Sequence, residues 1–229
     1  MDIMKKYKKK FDVFKVIINK DAPTILEIGA HFGEDSMRFA EAFPSAVIHC
    51  FEPDPRCIEV FKKYVKNERI KLHEIALSNT AGELEFFQSY NESEQTTPEK
   101  YDWISDEDYS SMKLGNSGSS SLKKGYGKTL SESIKVQSIR YDSWAKDNNI
   151  GMVDLAWIDV QGAERDVLDG MGDKIGNINI IWIEYGEEQY EDAMSRQDTI
   201  NYMSNKGFSL IEHFSSKGDK GDLLFRRSS

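Results

Sequence analysis

Apolar residues along this chain gather into short continuous runs, and between the runs they recur every three or four positions. Thr24–Gly29, Ala46–Phe51, Ile70–Leu77, Val153–Asp159 and Ile178–Glu184 are runs rich in Val, Ile and Leu. Runs of that length without alternation predict strands covered on both faces, as in a parallel sheet. The intervening segments Glu34–Phe43, Asp54–Lys66, Gly162–Met171 and Glu191–Lys206 read as helices. In the second, Pro55 suits a first helical turn, and Ile58, Phe61 and Val65 form one stripe. Ile3, Tyr7, Phe11 and Phe14 recur at helical spacing, which predicts a docked amphipathic helix within residues 1–20. Phe208–Phe214 and Asp222–Arg226, joined by Ser, Lys, Gly and Asp, predict a closing hairpin. Alternating strands and helices that end in a hairpin predict an α/β doubly wound sheet, mostly parallel with an antiparallel C-terminal strand. A chain of 229 residues suits one such domain.

The segment Tyr90–Ser133 breaks this pattern. It is rich in Ser, Gly, Glu and Lys and carries Gly115-Asn116-Ser117-Gly118-Ser119-Ser120-Ser121. Irregular stretches of this length inside a domain are either functional or disordered. Tyr101, Trp103, Tyr109 and Tyr126 set it apart from a linker, and the expectation is a lid over a ligand.

Ligands of open α/β sheets sit outside the carboxyl ends of the strands. The first strand ends in the turn Gly29-Ala30-His31-Phe32-Gly33, where backbone can approach a ligand. Ser36 falls in the first turn of the next helix, where a hydroxyl and free N–H groups can hold a carboxylate. The second strand ends in Glu52, placed to accept hydrogen bonds from ribose hydroxyls. A glycine turn followed by that carboxylate is a way to hold an adenosine, without saying which adenosine cofactor. Asp159 and Glu184 end the fourth and fifth strands and face the same crevice, whereas Glu164 suits the start of a helix.

The formal net charge of −9 argues against a broad nucleic-acid footprint, the run Lys5-Lys6-Tyr7-Lys8-Lys9-Lys10 being the exception. No apolar run is long enough to span a bilayer, and no signal peptide is recognisable. Two cysteines, Cys50 and Cys57, make no disulfide framework, so a reducing, cytoplasmic setting is expected. Of four histidines, His31 lies in the glycine turn, His49 and His73 fall in strands, and His213 falls in the hairpin. Their spacing matches no zinc site, and no metal is expected.

These motifs together resemble the FkbM family of S-adenosylmethionine-dependent methyltransferases, over Ile25 to about Glu184. Leu26-Glu27-Ile28-Gly29-Ala30-His31-Phe32-Gly33 resembles the family's first motif, with His31 in place of a usual asparagine. Phe51-Glu52-Pro53-Asp54-Pro55 is similar to its ribose-binding motif, and Ile75-Ala76-Leu77-Ser78 to the segment flanking the adenine. Gly118-Ser119-Ser120-Ser121-Leu122, Tyr141-Asp142-Ser143-Trp144 and Ile158-Asp159-Val160-Gln161-Gly162-Ala163-Glu164 resemble its remaining signatures. Trp157 stands where a lysine is common, and Gln161 where a glutamate is common. The resemblance implies a Rossmann-like class I methyltransferase that binds S-adenosylmethionine. The cofactor residues are then Glu27, Gly29, Ala30, His31, Gly33, Ser36, Glu52, Ala76 and Asp159, with Asp159 and Glu184 as catalytic residues. It implies O-methylation of a small-molecule or glycan acceptor, with a sugar hydroxyl expected and nucleic acid not. Oligomeric state stays open.

Two other readings stand beside it. A nicotinamide-dependent oxidoreductase would need a second close glycine that Ala30-His31-Phe32 lacks. Its Tyr-x-x-x-Lys is spelled only by Tyr202 to Lys206, near the C-terminus. A cofactor-binding module without turnover is suggested by Trp157 and Gln161. A magnesium ion shared by Asp159 and Glu184 is a variant of the enzymatic reading, although two acids are few ligands.

Overall fold

A computed structural model describes residues 10–90, 103–112, 114–126, 130–186, 189–215 and 220–228. Its elements in chain order are α1 (Lys10–Ile18), β1 (Thr24–Ile28), α2 (Glu34–Ala42), β2 (Val47–Phe51), α3 (Pro55–Tyr64), β3 (Ile70–His73), β4 (Ala76–Leu77) and β5 (Gly82–Tyr90). There follow α4 (Asp106–Ser111), β6 (Leu130–Ile139), α5 (Tyr141–Asp147), β7 (Val153–Ile158), α6 (Glu164–Met171), β8 (Ile178–Gly186), α7 (Arg196–Asn205), β9 (Phe208–Ser215) and β10 (Lys220–Arg227).

Seven strands form the main sheet in the order β3-β2-β1-β7-β8-β10-β9. The strands from β3 to β8 run parallel, and β10 is antiparallel to both β8 and β9. The chain winds outward from β1 to β3 and later returns to the other side of β1 as β7. The carboxyl ends of β1 and β7 therefore flank the point where the winding reverses, which is where such sheets bind ligands.

Both faces of the central strands are covered, which is why their sequences show no alternation. Along β7, Leu155 and Trp157 face one core cluster, while Ala156 and Ile158 face the other. Trp157 and Trp182 are register partners on β7 and β8, stacked with ring centroids 4.9 Å apart, and Phe214 of β9 stacks on Trp182 at 4.6 Å. Phe14 of α1 meets both tryptophans edge-on, so the N-terminal helix is docked. Ile3, Tyr7 and most of the basic run lie outside the described residues.

The run Ile70–Leu77 is not one strand. β3 ends at His73, whose carbonyl accepts from the Ile75 N–H at 2.9 Å, and the chain turns out of the main sheet. β4 then joins a second, three-stranded sheet in the order β4-β6-β5. The sequence reading missed β5 and β6 because their solvent face is polar. Among the described residues, their covered face brings Phe86, Ile134 and Val136 together with Ala76 of β4, and Leu122 from the serine-rich stretch packs against them. β6 begins at Leu130, so the irregular segment is shorter than Tyr90–Ser133. α7 is also shorter than predicted. It starts at Arg196 because the Ser195 hydroxyl accepts from the Asp198 N–H at 3.1 Å and caps the helix. Among the described residues, no helix is long and apolar enough to cross a membrane.

Candidate active site

A cavity of about 540 Å³ opens at the carboxyl ends of the parallel strands. Gly29 to Phe32, Glu52, Ile75 to Leu77, Asn116 to Ser120, Asp159 to Gln161 and Glu184 line it.

The glycine turn is bolted to both neighbouring strands. The N–H groups of Gly29 and Ala30 donate to the Phe51 carbonyl at 3.0 and 3.1 Å, and the Asp159 N–H donates to the Ile28 carbonyl at 3.0 Å. Gly29 has φ +90°, and a Cβ there would sit 1.8 Å from the Asp159 carbonyl oxygen. Only glycine allows the end of β7 to come this close, and that approach brings Asp159 beside the turn.

Glu52 is fixed by backbone. Its Oε2 accepts from the His31 N–H at 2.8 Å and its Oε1 from the Asp54 N–H at 2.8 Å. Burial pushes its carboxyl up to about 7, against the pull of those two N–H groups. A carboxylate oxygen can take a second donor, so Glu52 retains room for two hydroxyl groups from the cavity. Glu27 is buried deeper. Its Oε2 accepts from the Ser36 hydroxyl and from Cys50 Sγ. Burial raises it well above the ordinary carboxylate range, and the charges of Asp35 and Glu34 add to that. A buried diol acceptor and a second carboxyl lining the same cavity fit a cationic adenosine cofactor.

Across the cavity, Gln161 joins Asp159 and Glu184. Its Nε2 donates to Asp159 Oδ1 at 2.6 Å and to Glu184 Oε2 at 2.7 Å. Burial and then the Asp159 charge hold the Glu184 carboxyl far above its ordinary range. Glu164 accepts from the Val160 and Gly162 N–H groups at 3.2 and 3.1 Å, which makes it the clasp of the turn before α6. Among the described residues, no group of three or more His, Cys, Asp or Glu side chains is arranged to hold a metal ion.

The serine-rich stretch forms a wall of the cavity. Ser117 Oγ meets His31 Nε2 at 2.8 Å, and His31 Nδ1 meets Glu34 at 3.0 Å. Ser120 Oγ accepts from Arg56 and from the Ser89 N–H, and Ser121 pairs by backbone with Phe87 of β5. Trp103 packs on Tyr64 at 5.6 Å beside the cluster of Phe32, Cys57, Val60, Ile104 and Leu114. Tyr101 lies outside the described residues, and Tyr126 is exposed.

The structure brings Glu27, Gly29, Ala30, His31, Glu52, Ala76, Asp159 and Glu184 to one cavity. Gly33 instead faces Phe61 and Val65, and Ser36 is fully buried against Glu27 and Cys50. Trp157 borders the cavity but is 4% exposed and stacked on Trp182. His49 and His73 form a pair, Nδ1 to Nε2 at 3.1 Å, beside Trp144. His213 meets the Tyr185 hydroxyl. Tyr202 donates to Asp169 on α6, so the dehydrogenase-like Tyr202 and Lys206 belong to an outer helix. The sequence reading missed Tyr190, which contacts Gln161 from an irregular stretch without any motif.

This sheet order, with its reversed C-terminal hairpin and a cavity at the β1–β7 switch point, defines the class I methyltransferase fold. The methyltransferase FkbM domain matches residues 27–210, and the chain belongs to that family. It is an S-adenosylmethionine-dependent methyltransferase. The chain is 29% identical over 222 residues to 2-O-methyltransferase NoeI of Sinorhizobium fredii, covering 93% of this chain and 82% of that protein. It is 23% identical over 202 residues to methyltransferase sdnD of Sordaria araneosa, covering 82% of this chain and 74% of that protein. Among solved structures, a candidate rRNA methylase from Clostridium thermocellum matches with TM-score 0.54 at 9% identity, covering 100% of this chain and 97% of that one. The Methanococcus jannaschii fibrillarin pre-rRNA processing protein matches with TM-score 0.51 at 11% identity, covering 93% and 69%. At these identities the structural likeness is one of fold alone.

Proposed function

We propose that this methyltransferase transfers the methyl group to a hydroxyl oxygen, that of a sugar or glycan. The observation that carries the reading is the Asp159–Gln161–Glu184 arrangement at the cavity mouth. It offers carboxyl oxygens, held by the Gln161 amide, that can pair with several hydroxyls of one acceptor. The name 2-O-methyltransferase given to the NoeI relative supports an oxygen acceptor.

S-adenosylmethionine supplies an activated methyl carbon, which the acceptor oxygen takes as S-adenosylhomocysteine leaves. Glu52 would hold the ribose hydroxyls, the glycine turn would lie against the cofactor, and Ile75 to Leu77 would border the adenine. Asp159 orients the acceptor hydroxyl and takes its proton late, as positive charge develops on the oxygen. A neutral Glu184 beside it serves as a donor to a neighbouring acceptor oxygen. The protein's work is alignment and proton uptake.

The test offers purified protein and labelled cofactor to methyl glycosides of hexoses and deoxyhexoses, small phenols, peptides and RNA. Label on a glycoside is expected. Label confined to peptide or RNA would overturn the sugar reading and leave the methyltransferase assignment standing.

A further inference from the structure

Tyr190 lies beyond the end of β8, and two backbone hydrogen bonds fasten it to the segment that follows the serine wall. It forms an antiparallel bridge with Gly125, while the Tyr126 N–H donates to the Gln189 carbonyl at 2.8 Å and the Glu191 N–H to the Lys124 carbonyl at 2.9 Å. Its side chain packs directly on Gly162. A Cβ at Gly162 would lie 2.4 Å from the Tyr190 Cβ, and Gly162 has φ +95°, so glycine is required there twice over. That packing places the Tyr190 hydroxyl 3.0 Å from Gln161 Oε1 and 3.1 Å from the Ser119 carbonyl oxygen.

The Gln161 amide has two ends with opposite hydrogen-bonding character. Its NH₂ donates one hydrogen to Asp159 and the other to Glu184. Its oxygen faces Tyr190. A flipped amide would turn an acceptor toward two carboxyl groups and its NH₂ toward a hydroxyl. The tyrosine proton at Oε1 favours the productive orientation. Because a hydroxyl has one hydrogen, that proton is divided between Gln161 and the Ser119 carbonyl, so the wall and the amide share one constraint.

We propose that Tyr190 is a positioning residue for methyl transfer, acting through the Gln161 amide to hold Asp159 and Glu184 in register with the serine wall. The inference rests on the reading of Asp159 and Glu184 as the acid–base pair. Tyr190 touches neither acid and serves only to orient the amide between them. Asp159, Glu184 and Glu164 from the sheet side, Asp222 across from Glu184 on β10, and Lys220 of β10, which lines the same cavity, are titratable groups around this arrangement.

The test compares Tyr190→Phe, which keeps the ring against Gly162 and removes only the hydroxyl, with the unaltered full chain. The first readout needs no acceptor. The two side-chain amide protons of Gln161, assigned by their loss in Gln161→Ala, resonate apart in the wild type and converge in Tyr190→Phe. With the best methyl glycoside of the panel, kcat falls about tenfold, the scale of one lost hydrogen bond. The S-adenosylhomocysteine Kd stays unchanged. In the Gln161→Ala background, Tyr190→Phe has no further effect on kcat. Unchanged amide resonances, or an equal loss of kcat in the Gln161→Ala background, would overturn the proposal. Asp159→Asn separates the two readings. If Asp159→Asn turns over normally, both fall; if it is inactive while Tyr190→Phe is normal, this one alone falls.

Discussion

His31 and Ser117, 86 positions apart, meet through Nε2 and Oγ at 2.8 Å. This contact closes the glycine turn against the serine wall. The same His31 gives its backbone N–H to Glu52 and its Nδ1 to Glu34. The position of the wall and the grip on the Glu52 carboxyl thus pass through one residue. Burial disfavours the imidazolium, but Glu34 and the charges of Glu52 and Asp54 outweigh it, so the His31 pKa lies above its ordinary value.

His31→Ala is expected to loosen the wall. Amide hydrogen exchange at Ser117–Ser121 should quicken, and S-adenosylhomocysteine should bind several-fold more weakly by calorimetry. In the wild type, cofactor and acceptor together should slow exchange in the same stretch, as expected of a cover that excludes water. Unaltered exchange in the variant would make the His31–Ser117 contact incidental.

Glu52→Ala should weaken cofactor binding about tenfold or more, since a hydrogen bond to a charged group is worth roughly 1.5–3 kcal/mol. The dependence on pH follows from its carboxyl lying at about 7 in the free protein. The carboxylate form accepts both ribose hydroxyls, so cofactor affinity rises as pH rises toward 7, and binding releases a proton below that. Calorimetry in buffers of differing ionisation enthalpy reads the proton directly. The pH dependence should vanish in Glu52→Gln.

Asp159→Asn keeps the shape of the site and removes the proton acceptor. The expected loss is about 10²–10⁴ in kcat, the usual range for a general base, with cofactor binding retained. Turnover at the wild-type rate under saturating cofactor would reduce Asp159 to an element of the turn.

The His49–His73 pair sets an acid limit on stability. Burial, then the charges of His73 and Lys71, lowers His49 from 6.5 to about 4. Burial and Lys71 lower His73 as well. The unfolded chain therefore takes up protons that the folded chain refuses. The neutral pair's contribution is intact above about 6.5 and is lost as pH falls from there toward 4. Glu52 and Glu184, whose carboxyls are raised, act in the opposite sense in both proteins, so the pair's share is read as a difference: relative to the wild type, the unfolding midpoint of His49→Gln should rise as pH falls over that window.

How far the sequence spoke for itself differs from element to element. Val153–Ile158 was legible as a strand because both of its faces are buried, so its apolar run needs no partner to be recognised. Gly29, Glu52 and Asp159 were legible because they follow directly on strands, and the ends of parallel strands in an open sheet face one crevice; Glu184 was expected at a strand end but lies within β8, which runs on to Gly186. β5 and β6 were not legible, because these paired strands carry few apolar residues on their covered face and show water a polar one. The break after His73 was hidden inside an apolar run that serves two sheets. Ser36 looked like a ligand group from its place in a first helical turn, yet the fold buried it against Glu27. Trp157 stood out in the sequence only as a departure from a common lysine, and its stacking on its register partner Trp182 appears only in the folded sheet. Tyr190 carried no signal, since its role comes from packing on Gly162 and from a hydroxyl reaching Gln161, 29 positions away. Local pattern determined which segments become strands and which acids lie at or near their ends, because burial and turn geometry act over a few residues. Tertiary structure alone decided which side chains fill the cavity and which hold one another, because those distances exist only once the sheet is wound.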